Sequence, residues 1–124
     1  MAKILVIDDD EQIRMFLRTT LERADYTVVE AREGTEGLDR YRQMSIDVVI
    51  TDLLMPGKEG LETVSQLRRE WPNTKVIAIS GGDSTGMFAY LDVAQKLGAD
   101  RTLPKPFDRE TLLSVVREVL EPSA

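Results

Sequence analysis

Short aliphatic runs recur along this chain, and each gives way to a stretch whose apolar residues fall at helical spacing. Residues 3–7, 26–29, 48–51 and 75–80 are such runs, and 101–103 is a weaker fifth. A strand with one wet face alternates apolar and polar residues. These do not, so each is expected to be covered by helices on both faces. The intervening stretches carry the stripes Ile13, Phe16, Leu17, Thr20, Leu21, Ala24; Leu38, Tyr41; Leu61, Val64, Leu67, Trp71; Met87, Tyr90, Leu91, Ala94, Leu97; and Leu112, Leu113, Val116, Val119, Leu120. Asp10 and Asp108 are expected N-caps, Gly98 a stop for the fourth helix, and Pro72 and Pro122 lie just past the third and fifth. Five strand–helix units in strict alternation imply an α/β fold, a doubly wound five-stranded parallel sheet with right-handed crossovers. No composition break, repeat or linker interrupts the pattern, so residues 1–124 are read as a single domain.

The residues the chain lacks narrow its chemistry. With no cysteine and no histidine there is no disulfide framework, thiolate zinc site, Ser-His-Asp triad or phosphohistidine of its own. A bound metal would have to be a hard cation held by oxygen. Sixteen basic against 22 acidic side chains leave a net charge of −6, which argues against a nucleic-acid surface. No apolar run approaches the ~20 residues of a membrane span and no signal peptide precedes Lys3, so a cytoplasmic protein without membrane contact is expected.

In open α/β sheets, function collects at the carboxyl ends of the strands. The first run ends in Asp8, Asp9, Asp10 and Glu11. A helix cap and first-turn acids account for Asp10 and Glu11, but not for two further carboxylates at the strand end. The third run ends at Asp52, followed by Leu53-Leu54-Met55-Pro56-Gly57. An Asp before a Pro-Gly turn is commonplace, yet Asp52 should share a sheet edge with Asp8 and Asp9. Three converging carboxylates suit Mg²⁺, which takes few protein oxygens and keeps positions open for water or phosphate. Ser80 precedes Gly81-Gly82 and could donate to a phosphoryl oxygen, although Ser-Gly-Gly is often only a loop. Lys105 stands between Pro104 and Pro106; a lone lysine is normally solvated, but this one has a restricted backbone, and Lys105–Pro106 is a candidate cis bond. Pro104 lacks an N–H, which suits the fifth strand to the sheet edge.

This set resembles the response-regulator receiver domain of two-component signalling over essentially the full chain, through Asp8-Asp9, Asp52 in Asp-Leu-Leu-Met-Pro-Gly-Lys-Glu-Gly, Ser80, and Lys105-Pro106-Phe107. The resemblance implies strand order 2-1-3-4-5. It implies Asp52 as phosphoacceptor, Mg²⁺ held by Asp8, Asp9, Asp52 and the Leu54 backbone carbonyl, and Ser80 and Lys105 against the phosphoryl group. It implies a signalling switch rather than an enzyme, although one that assists its own phosphorylation and dephosphorylation. A histidine kinase or histidine phosphotransfer protein would be the donor, and a downstream protein would dock on the face of the fourth helix, fifth strand and fifth helix. Oligomerisation stays open, a homodimer included, and no output domain is expected. Three departures stand out. Thr102 occupies a position often aromatic in the family, so an aromatic toggle is not expected unless Tyr90 or Phe88 substitutes. The glycine-rich loop 81–86 suggests a late start for the fourth helix. Leu54 and Gly82 cannot orient an attacking water, so slow phosphate loss is expected.

Other classes fit less well. A flavodoxin-like cofactor binder would cradle a phosphate where Asp8 to Glu11 would repel it. A haloacid-dehalogenase-type Mg²⁺ phosphatase would use Asp8 and Asp10 but leaves Asp52 unexplained. A phosphorylation-independent pseudo-receiver would not need the complete acidic, hydroxyl and lysine set.

Overall fold

Alternate side chains of the central strands enter two different hydrophobic cores, which is why those strands read as unbroken aliphatic runs. The computed structural model describes residues 2–53, 60–80 and 87–121, apart from the side chains of 87–91. Its elements run β1 (Lys3–Ile7), α1 (Glu11–Arg23), β2 (Thr27–Ala31), α2 (Gly34–Gln43), β3 (Val48–Asp52), α3 (Gly60–Glu70), β4 (Lys75–Ser80), α4 (Met87–Leu97), β5 (Arg101–Pro104) and α5 (Arg109–Leu120). The strands form one parallel sheet in the order β2-β1-β3-β4-β5, as expected. Ile4, Val6, Ile50, Ile77 and Ile79 pack with Leu17 and Leu21 of α1 and Leu112 and Val116 of α5. Leu5, Ile7, Val49, Val76 and Ala78 pack on the other side, with Leu38, Val64, Leu67 and Ala94 of α2, α3 and α4. Each fully buried Leu, Ile or Val side chain contributes about 1.5–3 kcal/mol of transfer free energy, so the two layers hold the sheet as a rigid platform. Among the described residues, no helix is long and apolar enough to cross a membrane.

The helix signals act as their chemistry suggests. Asp10 Oδ1 accepts from the amides of Gln12 and Ile13 at 2.9 and 3.4 Å, and Asp108 Oδ1 accepts from Thr111 at 2.8 Å. Gly98 closes α4 at φ +121°, a left-handed conformation that costs glycine little. Lys105–Pro106 is cis, and β5, carrying Pro104, is an edge strand.

Four boundaries or burials differ from the sequence pattern. β2 runs on through Glu30 to Ala31, because the Glu30 carboxylate is held by Arg14 and Arg18 and the charge need not end the strand. Tyr26 falls outside β2; its amide bonds the Leu21 carbonyl in the turn after α1. Trp71 lies just beyond α3 and packs against Tyr41, the rings tilted at 46° with centroids 4.5 Å apart. Leu97 is exposed together with Val93, so the buried stripe of α4 is narrower than its spacing suggests. The loop 81–86, Pro122 and the side chains of Phe88, Tyr90 and Leu91 lie outside the described residues; Thr102 is half-buried.

Gly60 marks where α3 meets β3. A Cβ there would sit 2.1 Å from the Asp52 carbonyl oxygen and 2.4 Å from Leu53 Cα, both backbone atoms. Helix propensity alone favours Gly60→Ala by up to about 1 kcal/mol. Contact with the end of β3 reverses that sign. Gly60→Ala is expected to destabilise the protein by about 1–3 kcal/mol in urea melts, and to shift the backbone amide resonances of Asp52 and Leu53.

Candidate functional site

The sheet register assembles the site. Ile7 pairs with Thr51, so the next residues of the two central strands, Asp8 and Asp52, emerge side by side at the carboxyl edge. Asp52 pairs with Ile79, Ser80 follows it, and Ser80 pairs with Pro104, which precedes Lys105. The Lys105 amide donates to the Ser80 carbonyl at 2.7 Å, continuing the ladder one residue beyond β5. Four strand ends thereby deliver Asp8, Asp52, Ser80 and Lys105 to one edge.

Their side chains converge. Lys105 Nζ donates to Asp8 Oδ2 and to Asp52 Oδ2, each at 3.1 Å. One carboxylate oxygen each from Asp8, Asp9 and Asp52 lies within 4.8 Å of the others, a grouping that could hold a metal ion. Asp8 and Asp52 are buried, whereas Asp9 is exposed and forms the open side of the cluster. Two carboxylates about 4 Å apart repel by roughly 4 kcal/mol at an effective dielectric of 20, so the ammonium between them is their immediate counter-charge.

Titration follows from this packing. Burial is the largest influence on Asp8 and raises its pKa; the Asp10 amide, donating to Asp8 Oδ1 at 2.9 Å, opposes it. The Asp52 charge raises the pKa again and Lys105 lowers it, for a net value of about 6. Burial alone would lower the Lys105 pKa, but the carboxylates of Asp52 and Asp8 outweigh it and hold the pKa above the ordinary lysine value. Ser80 Oγ is buried at the end of β4 and, among the described residues, has no hydrogen-bond partner. An unpaired buried hydroxyl is costly, which makes it a donor in want of an acceptor.

Not every residue at the strand end joins the site. Asp10 is spent on the cap of α1, which removes the second acid that an Asp-x-Asp phosphatase would need. Leu54, Gly81 and Gly82 lie outside the described residues. Arg14 was missed by the sequence reading. It is buried in α1, and its Nη1 donates to the Asp8 carbonyl at 2.6 Å. The signal was present, since positions 14, 17 and 21 share one face and two of them are leucines.

A family model described as the response regulator receiver domain matches residues 4–117. The chain belongs to that family. It is 39% identical over 120 residues to the response regulator MprA of Mycobacterium sp. (strain KMS), covering 96% of this chain and 50% of that protein. It is 33% identical to the transcriptional regulatory protein CpxR of Escherichia coli (strain K12), covering 99% of this chain and 51% of that protein. The chain thus spans about half the length of these curated relatives. Among solved structures, the chemotaxis response regulator CheY4 of Vibrio cholerae superposes with a TM-score of 0.86 at 33% identity, covering 97% of this chain and 99% of that one. A response regulator receiver domain protein from Clostridium thermocellum superposes with a TM-score of 0.89 at 34% identity, covering 97% and 94%. Receiver domains are signalling switches rather than classical enzymes, and they interact with histidine kinases and downstream effectors.

The raised Asp8 pKa has a definite sign. Between about 4 and 6 the folded receiver binds more protons than the unfolded chain, so this group's contribution to stability falls as pH rises through about 6. Asp8→Asn keeps an acceptor for the Asp10 amide and removes the buried charge. In metal-free buffer it is expected to be more stable than wild type by about 1–2 kcal/mol at pH 7.5, with the advantage shrinking toward pH 5. Thermal melts across that range test this, and a destabilised variant at pH 7.5 would contradict it.

Proposed function

We propose that this receiver accepts a phosphoryl group on Asp52. Mg²⁺ would be held by Asp8, Asp9 and Asp52 with the Leu54 backbone carbonyl, and Ser80 and Lys105 would contact the phosphoryl oxygens. The observation that carries this reading is the Lys105 ammonium, 3.1 Å from both Asp8 and Asp52, residues 97 and 53 positions away in sequence. The donor set suits the ion. All the protein ligands are oxygens, they are few, and the exposed acid Asp9 leaves an open side. The Ser80 hydroxyl, unpartnered among the described residues, supports the same reading, since a phosphoryl oxygen would supply an acceptor.

When bound, Mg²⁺ supplies positive charge that lets three acids tolerate an incoming dianion. The chain's own groups do the rest. An Asp52 carboxylate oxygen acts as nucleophile and forms the new P–O bond, while the P–N bond of a phosphohistidine breaks and the imidazole leaves with its electron pair. That imidazole belongs to a partner histidine kinase or histidine phosphotransfer protein, because this chain has no histidine. Lys105 exchanges its bond to Asp52 Oδ2 for a charge-assisted bond to a phosphoryl oxygen, and Ser80 Oγ donates to another. These bonds tie the ends of β4 and β5 to the phosphoryl group. They bias the face formed by α4, β5 and α5, where a downstream protein docks, between two arrangements. With Thr102 in place of an aromatic residue, the bias passes through Ser80 and Lys105 rather than through a ring at that position.

Treatment with a small phosphodonor, with and without Mg²⁺, and mass spectrometry of wild type and Asp52→Asn test this proposal. One phosphoryl group should be added to wild type only, and only with the metal. Equal labelling of Asp52→Asn would refute the assignment, and a label on Asp8 would instead favour the phosphatase reading.

A further inference from the structure

We infer that Arg14 is a positioning residue for the acidic cluster, an assignment that rests on the metal-binding reading above. Its guanidinium makes two bonds in different directions. Nη1 donates to the Asp8 carbonyl at 2.6 Å, and Nε donates to Glu30 Oε1 at 3.2 Å. Glu30 lies on β2 and its other oxygen accepts from Arg18 Nη1 at 2.8 Å. One side chain on α1 therefore links the edge strand to the backbone of the first acid.

The carbonyl it holds is a sensitive one. Asp8 follows the last paired residue of β1, and its amide donates to the Ala31 carbonyl at 3.1 Å. The Asp8 carbonyl and the Asp9 amide share a single peptide plane. Fixing that oxygen fixes the direction in which the chain enters Asp9, the exposed member of the cluster. The Asp8 side chain is pinned separately, by the Asp10 amide and by Lys105. Arg14 thus controls the relation between the first two acids without touching the ion or the phosphoryl group. Its charge is already balanced by Glu30, so its removal chiefly costs geometry. Lysine keeps the charge but lacks the planar fork that serves both acceptors together.

Isothermal calorimetry of Mg²⁺ binding tests this, on wild type, Arg14→Met, Arg14→Lys and Val119→Ala, at a temperature where circular dichroism shows each folded. Val119 is a buried residue in the last turn of α5 and controls for general destabilisation. Outer partners of metal ligands are typically worth 10–100-fold in affinity, so Arg14→Met should bind at least about 10-fold more weakly and Arg14→Lys at least about threefold, with Val119→Ala within about twofold of wild type. Wild type that binds no Mg²⁺ would overturn the metal-binding reading itself. Wild type that binds, with either Arg14 variant matching it or with Val119→Ala losing as much, would overturn the role of Arg14 alone. If Arg14→Met does not fold, the lysine variant carries the test.

Discussion

Two buried carboxylates at the end of a parallel sheet repel each other, and in this protein the Lys105 ammonium stands between them at 3.1 Å from each. Much else in the molecule follows from that arrangement. The strand order puts β1 next to β3, so Asp8 and Asp52 emerge together, and β4 brings the end of β5 within reach of both. Helices on both faces bury nearly all of β1, β3 and β4 and leave the carboxyl edge as the place where polar groups gather. The balance is close enough that the Asp8 pKa still rises to about 6. A site poised in this way responds to any change in its charge.

That poise connects the fold to signalling. Bringing a dianion to the cluster would give Lys105 and Ser80 new acceptors, and both residues lie at the ends of strands that border α4 and α5. Because the two cores are close-packed, a shift at those strand ends has discrete packing alternatives rather than a smooth range. The Gly60 contact belongs to the same frame, since the start of α3 rests directly on the backbone of Asp52 and Leu53.

Much of this was legible in the sequence. β1, β3 and β4 lie between two helical layers, and a residue run with no polar face is the direct chemical trace of that position. Asp10 and Asp108 announced their helices because a cap needs a short side-chain acceptor at one position. Other features were hidden by long-range pairing. The end of β2 was obscured because the charge on Glu30 is matched by arginines 16 and 12 residues earlier. α2 left a weak stripe because two of its three buried residues, Gly34 and Gly37, bring backbone rather than side chains to the sheet. Arg14 lies on the buried face of α1, but its acceptor, the carbonyl of Asp8, is a backbone atom that a residue pattern does not display. Leu97 shows the opposite error, helical spacing without burial.

On the proposed reading, Lys105 is the counter-charge shared by Asp8 and Asp52 until a phosphoryl group takes over the ammonium. A crystal structure with Mg²⁺ and beryllofluoride, a stable stand-in for the phosphoryl group, tests it most directly. The adduct is expected on an Asp52 oxygen, with Lys105 Nζ turned from the Asp8–Asp52 bridge to a fluoride and Ser80 Oγ donating to another. Lys105 still bridging the two acids beside an unmodified Asp52 would contradict it.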